Sequence, residues 1–281
     1  MRYHEIDNAV PRMSAESETM TESLNPPLLK IEMIGAVARI TICRAAKRNA
    51  LSDLLVAELR DCFDNLPPEA RAAVLTGEGN AFCAGLDLSE VRENTTTEGV
   101  LHSRMWHAAF ERIAYGRVPV IVVLHGAVVG GGLELASACH IRVAEDSAFY
   151  ALPEGSRGLF VGGGGSARIS RLIGVAAMTD LMLTGRVLSA REGQDAGVSQ
   201  YLVGEGEGLD KAMGLAARIA GNAPMTNYGV MHVLPRIADQ SIQDGMMTES
   251  LMAAVAASDP ETRGRLAAFL DAKANKVRAT N

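Results

Sequence analysis

The stretch PVIVVLHGAVVGGGLELASAC, residues 119–139, decides the fold. Pro119–Leu124 is apolar and mostly β-branched with no alternation, the composition of a strand buried on both faces beneath helices. His125–Gly130 reads as a loop, and Gly131–Cys139 as a short helix of apolar and small residues. Gly130, Gly131 and Gly132 leave the first N–H groups of that helix unobstructed, and the helix dipole adds partial positive charge there. Glu134 stands in the first turn among Leu133, Leu135, Ala136 and Ala138. A carboxylate in that position gains ~0.3–1 kcal/mol from the dipole alone. Beside a row of glycine-flanked donors it is also a candidate for proton chemistry.

Outward from this stretch, strands and helices alternate. Toward the N-terminus, Leu28–Ile34 and Ala36–Cys43 meet at Gly35 as a hairpin, and Ser52-Asp53 caps a helix reaching about Asn65. Ala72–Thr76 reads as a strand, Gly77–Asp87 as a loop, and residues 98–116 as a helix. Toward the C-terminus come strands Ile141–Ala144 and Ala148–Tyr150, a loop Pro153–Gly165 and a helix Ser166–Leu172. From Ala176 onward only Gln200–Val203 resembles a strand. This pattern predicts an α/β fold with strands buried beneath helices and a helical C-terminal segment. The organisation expected is a poorly ordered arm over 1–27, a core over 28–205 and a helical segment over 206–281.

Composition narrows the function classes. The 281 residues carry a formal charge of −6, so no basic field recruits nucleic acid or an anionic membrane surface. No apolar run reaches the length of a membrane span, and the opening residues lack a signal-peptide core. Cys43, Cys62, Cys83 and Cys139 show no metal-ligand spacing. No metal is expected, and the compartment expected is the reducing cytoplasm. The six histidines read as core or surface residues.

Three glycine-bearing loops follow strands: residues 80–88, residues 125–134 and residues 152–165. The second lacks the Lys-Ser/Thr of a Walker A loop and the G-x-G-x-x-G of a dinucleotide site. Its remaining functional reading is a donor for a developing oxyanion. Glu154 opens the third loop much as Glu134 closes the second, and two carboxyls sharing a desolvated cleft can split into proton donor and proton acceptor.

Together the three loops resemble the crotonase (enoyl-CoA hydratase/isomerase) superfamily over nearly all of residues 28–273. Ala81-Phe82-Cys83-Ala84-Gly85-Leu86-Asp87-Leu88 is similar to that family's A-F-x-A-G-x-D-[LI] segment, and Gly130-Gly131-Gly132-Leu133-Glu134-Leu135-Ala136 to its G-G-G-x-E-L-A segment. Leu152-Pro153-Glu154 resembles its x-P-E, and Gly162–Gly165 before Ser166-Ala167-Arg168 its G-x-G-G-x-x-R run. The resemblance implies a ββα spiral core. It implies oxyanion-hole N–H groups from Leu86 and Gly131, catalytic Glu134 and Glu154, and a Gly162 amide near a shared water. Arg44–Leu51 resembles the family's R-P-x-x-x-N-A-L without the proline, which makes Lys47 and Arg48 phosphate contacts and Ala84 a backbone contact to adenine. Asp87, Leu88, Gly130, Pro153, Lys273 and more weakly Lys276 complete the implied substrate and coenzyme A contacts. Met105, Trp106 and Phe110 fall in the segment that lines the acyl pocket, or serve as core.

The activity implied is addition of water to a 2-enoyl-CoA thioester, or its reverse, with coenzyme A entering as part of the substrate and no cofactor of the protein's own. The alternatives are an isomerase, hydrolase or hydratase-lyase on a branched or aromatic acyl-CoA, or a non-catalytic scaffold. A homotrimer or homohexamer is implied. Leu86, Tyr150-Ala151, Gly155, Val161 and His140 depart from the family pattern and bear on substrate identity.

Overall fold

A computed structural model describes residues 27–93 and 95–270. Most of the expected N-terminal arm, and Lys273 and Lys276, lie outside the described residues. The elements in chain order begin with β1 (Leu29–Ile34), β2 (Val37–Ile42), α1 (Asp53–Asp64), β3 (Ala72–Gly77) and α2 (Thr96–Ala114). Next come β4 (Val120–Leu124), β5 (Ala127–Val129), α3 (Gly131–Ala138), β6 (Ile141–Glu145), β7 (Phe149–Ala151) and α4 (Gly165–Thr184). The chain continues through β8 (Val187–Ser189), α5 (Ala190–Ala196), β9 (Tyr201–Val203) and α6 (Gly208–Ala220). It then runs through α7 (Pro224–Tyr228), α8 (Leu234–Ile237), α9 (Ile242–Ser258) and α10 (Pro260–Leu270).

The larger sheet has the order β1-β2-β3-β4-β6-β9 and the smaller one β5-β7-β8. Only β1 runs antiparallel in the larger sheet, paired to β2 around Gly35. The chain steps from a strand of the larger sheet to a strand of the smaller one and then into a helix, first as β4-β5-α3 and again as β6-β7-α4. That repeat is the ββα spiral expected from the sequence. All five residues of β4 are buried, as its unbroken apolar run requires. One face of the larger sheet packs on α1, α2 and α3 through Leu55, Leu59, Phe110, Ile113, Leu133 and Leu135. The other face meets α6, whose Ala212, Ala216 and Ala220 recur every fourth residue and let the helix approach Val74, Ile121 and Val143 closely.

Local chemistry sets the helix ends. The Ser52 hydroxyl accepts from Leu55 N–H at 3.2 Å, and Thr95 with Glu98 forms a capping box that starts α2 before residue 98.

The structure corrects several expectations. The 125–130 loop contains β5, residues 153–157 coil into a 3-10 turn, and β8 is a strand within a stretch read as helical. The helix expected at 166–172 does break where expected, at the non-helical Gly174 (φ 80°, ψ 154°), beyond which a second helical stretch of α4 runs to Thr184. Among the described residues, no helix is long and apolar enough to cross a membrane.

Candidate active site

Two backbone N–H groups converge at the start of α3. Residues 83–87 thread between the 48–51 turn and the 125–129 segment, turning at Gly85, where φ is 96°. Ala84 N–H donates to Arg48 C=O at 3.0 Å, Leu51 N–H to Gly85 C=O at 2.7 Å, and Asp87 N–H to Leu51 C=O at 2.9 Å. The C=O and N–H of one trans peptide group point opposite ways, and the Gly85 C=O that accepts from Leu51 shares its peptide group with the Leu86 N–H. The Leu86 N–H is therefore turned away from Leu51 and toward α3. A Cβ placed on Gly131 would lie 3.5 Å from the Leu86 nitrogen, so the two residues are close neighbours at the start of α3. Among the described residues neither N–H is taken by a protein acceptor.

Glycine is obligatory in this turn. Gly130 has φ of 51°, and a Cβ there would come within 2.6 Å of the Glu154 Oε1. A Cβ on Gly132 would run into the Cys83 carbonyl oxygen, because α3 packs directly on the 83–87 segment. Buried Asn49 fixes the approach of that segment, its Nδ2 donating to Glu78 C=O at 2.9 Å and Ala81 C=O at 2.7 Å.

Both glutamates face this amide pair. Glu134 is only 3% exposed, and its Oε1 accepts from the Gly163 and Gly165 N–H groups at 2.8 Å each. Burial pushes its carboxyl up, while the Gly165, Gly163 and Gly162 amides pull the other way. Glu154 is half-buried on the 3-10 turn, and burial raises its carboxyl too, with the nearby Glu134 charge adding to the rise. Its buried Oε2 has no hydrogen-bond partner among the described residues. Two carboxyls raised by a common cleft, one held by amides and one with an open oxygen, can divide proton acceptance and donation.

The cleft between them encloses about 390 Å³ and is walled mainly by apolar groups, including Leu86, Trp106, Val129, Leu159, Phe160 and Val161. Trp106 packs edge-on against Phe110 with ring centroids 5.7 Å apart. Polar side chains also reach in, namely His102, Ser103 and Arg157. His102 Nε2 lies 2.7 Å from Asp53 Oδ1.

Of the residues singled out in the sequence, Ala84, Leu86, Leu88, Gly130, Gly131, Glu134, Glu154 and Gly162 line this cleft. Lys47, Arg48 and Asp87 lie instead along an adjoining open groove of about 430 Å³, with Ala84, Leu86, Leu88 and Arg157 shared between groove and cleft. Pro153 opens the 3-10 turn that carries Glu154 rather than lining the cleft. Asp87 is a buried anchor, bonded to Arg44 Nη2 at 2.7 Å and Lys47 Nζ at 3.0 Å. The Ser89 hydroxyl foremost, with Arg44 and Lys47, holds its carboxyl well below the usual range. Phe110 is buried behind Trp106, and Met105 packs against the core away from the cleft.

His140 is a neutral structural link. Its Nδ1 accepts from Val120 N–H at 3.0 Å and its Nε2 faces Ala114 C=O at 3.2 Å, while burial pushes it down to about 4. Burial raises the Cys83 and Cys139 thiols to about 12, which makes them inert core groups. Sequence reasoning missed His102, Ser103, Arg157, Leu159 and Phe160. The signal available for the first two was their spacing from Gly99 and Trp106 on one face of α2.

The sequence matches the enoyl-CoA hydratase/isomerase family over residues 32–276. It is 34% identical over 227 residues to a "Probable enoyl-CoA hydratase" of Bacillus subtilis (strain 168), covering 79% of this chain and 88% of that protein. It is 32% identical over 222 residues to a short-chain-enoyl-CoA hydratase of Clostridium acetobutylicum, covering 78% and 82%. A crystal structure of a candidate enoyl-CoA hydratase from Rhodopseudomonas palustris CGA009 superposes with a TM-score of 0.86 at 58% identity, covering 88% of this chain and 95% of that one. On these matches, and with the ββα spiral in place, the chain belongs to the enoyl-CoA hydratase/isomerase family and is an enzyme of the enoyl-CoA hydratase type.

Proposed function

We propose that the chain adds water across the 2,3 double bond of a 2-enoyl-CoA thioester, with the Leu86 and Gly131 N–H groups receiving the thioester oxygen. The observation that carries this reading is the convergence of two unpaired amides and two raised carboxyls on one apolar cleft. Glu134 takes a proton from water as the water oxygen bonds to C3, and the electron pair of the double bond moves onto the thioester oxygen as an enolate. Glu154 then delivers its proton to C2, the carbonyl re-forms, and a proton passed from Glu134 to Glu154 restores both groups. Each amide donor to the enolate oxygen contributes ~2.7–4 kcal/mol to lowering the barrier. The paired proton transfers supply ~10²–10⁴-fold.

The groove beside the cleft fits the coenzyme A portion. Lys47, Arg48 and Arg157 border it and supply the local positive charge that phosphates need on an acidic protein. Lys273 and Lys276 belong to the same proposal. Ile242, Met246, Met247, Leu251 and Val255 of α9 are exposed apolar residues and support burial between copies of the chain, in a trimer or a pair of trimers. Light scattering tests that assembly.

The function is tested with crotonyl-CoA and longer 2-enoyl-CoA thioesters. The conjugated enoyl absorbance falls and the product gains one water in mass. Thioesters that all remain unchanged would overturn the reading, and a moved double bond without gain of water would assign an isomerase.

A further inference from the structure

We propose that Ser103 is a positioning residue for Glu134, acting through the single peptide group that joins Gly162 to Gly163. The inference rests on the hydratase reading for its kinetic consequence, though not for its geometry. Ser103 lies on the cleft face of α2, and its hydroxyl donates to Gly162 C=O at 2.6 Å. The other end of that peptide group is the Gly163 N–H, which donates to Glu134 Oε1 at 2.8 Å. A trans peptide is planar, with its C=O and N–H pointing opposite ways. Fixing the carbonyl therefore aims the N–H.

The anchor matters because Gly162–Gly165 are four successive glycines, and Gly162 and Gly163 sit ahead of the first helical residue of α4. They carry no side chains to hold their backbone, and glycine loses more conformational freedom on ordering than any other residue. Contacts from outside must fix them. Arg168 Nη1 supplies one, donating to Gly163 C=O at 3.0 Å and so fixing the next peptide group. Ser103 supplies another, at the Gly162 carbonyl. Its only hydroxyl hydrogen goes to Gly162, so the 3.4 Å contact with His107 Nε2 requires that nitrogen to carry the hydrogen.

The charged and titratable groups around Glu134 are Glu154 from the 3-10 turn and Arg168 from α4, with His107 of α2 one step further out, against both Ser103 and the Gly162 backbone. Removing the Ser103 hydroxyl loosens one of the amides that favour ionised Glu134, so the carboxyl shifts further upward.

The test compares wild type, Ser103→Ala and Ser103→Thr by two readouts. One is the infrared titration of the Glu134 carboxyl, assigned by its absence in Glu134→Gln. The other is 2-enoyl-CoA hydration. In Ser103→Ala the Glu134 titration and the acid limb of kcat move to higher pH, and kcat falls about tenfold with KM nearly unchanged. Ser103→Thr keeps the hydroxyl and restores both. An unmoved Glu134 titration in Ser103→Ala overturns the proposal, as does a loss that Ser103→Thr shares in full. A wild-type protein with no hydratase activity would overturn the functional reading, while the infrared titration would still decide the role of Ser103.

Discussion

Replacing Glu134 by glutamine separates proton chemistry from architecture. Glu134 Oε1 accepts two backbone N–H groups at 2.8 Å, and a glutamine amide oxygen can accept the same two. The 162–165 turn should therefore keep its place. Each charge-assisted bond becomes a neutral one, a loss of about 1 kcal/mol apiece. Removing a charge from a site that is 3% exposed offsets this, because burial already disfavours ionisation there. A residual change of about 1 kcal/mol moves the Tm of a chain this size by only ~2–4 °C. The amide cannot take a proton from water, so the ~10²–10⁴-fold of general base catalysis is lost, about 3–5 kcal/mol of barrier. The assay is kcat by enoyl absorbance, with calorimetric binding of coenzyme A and thermal melting alongside. The expected result is a collapse of kcat with binding and Tm near wild type. A kcat within about threefold of wild type would refute the reasoning, and so would a loss that follows unfolding.

The pH profile of kcat should be a bell displaced upward. Glu134 must be ionised and Glu154 protonated, and both lie above the ordinary 4.5, so activity is lost on the acid side as Glu134 protonates and on the alkaline side as Glu154 ionises. An acid limb below pH 4.5 would contradict the raised carboxyl. Gly132→Ala should cost ~1–3 kcal/mol of stability and lower kcat, since the new methyl meets the Cys83 backbone and pushes α3 from the 83–87 segment; wild-type melting would show that the contact can yield. His140 falls from 6.5 to about 4 on folding, so its contribution is complete above the unfolded value and is lost as pH drops toward 4. The loss is at most roughly 3 kcal/mol. His140→Gln, which can both accept from Val120 N–H and donate to Ala114 C=O, should flatten that part of the Tm–pH curve, and an unchanged slope would remove His140 as its cause.

The sequence was most readable where one physical requirement dominated. The unbroken run of β4 marked a strand buried on both faces, and Gly130–Gly132 ahead of an acidic first turn marked an open helix N-terminus. Glu134, Glu154, Leu86 and Gly131 followed from those loops together with the family resemblance. Strands β5 and β8 were not read although β7 and β9, equally short, were; both pair with β7, a partner distant in the chain that local sequence does not reveal. The burial of Asp87 and its pairing with Arg44 were not readable, because an aspartate in a loop carries no mark of burial and that partner is 43 positions away. Ser103 and His102 were hidden for a related reason. One face of α2 holds Gly99, Ser103, Trp106 and Phe110, and helical spacing alone does not tell a cleft from a core. The open side of the cleft, with Leu159 and Phe160, is defined by a turn that has no periodicity at all.

The central claim is that the Leu86 and Gly131 amides polarise a thioester carbonyl held between the two glutamates. Infrared difference spectroscopy of a carbonyl-labelled 2-enoyl-CoA bound to Glu134→Gln tests it most directly, since binding continues while turnover does not. The account predicts a carbonyl stretch well below its value in water, and a return toward that value in Gly131→Pro, which lacks the second N–H. A bound carbonyl vibrating as it does in water would contradict the account.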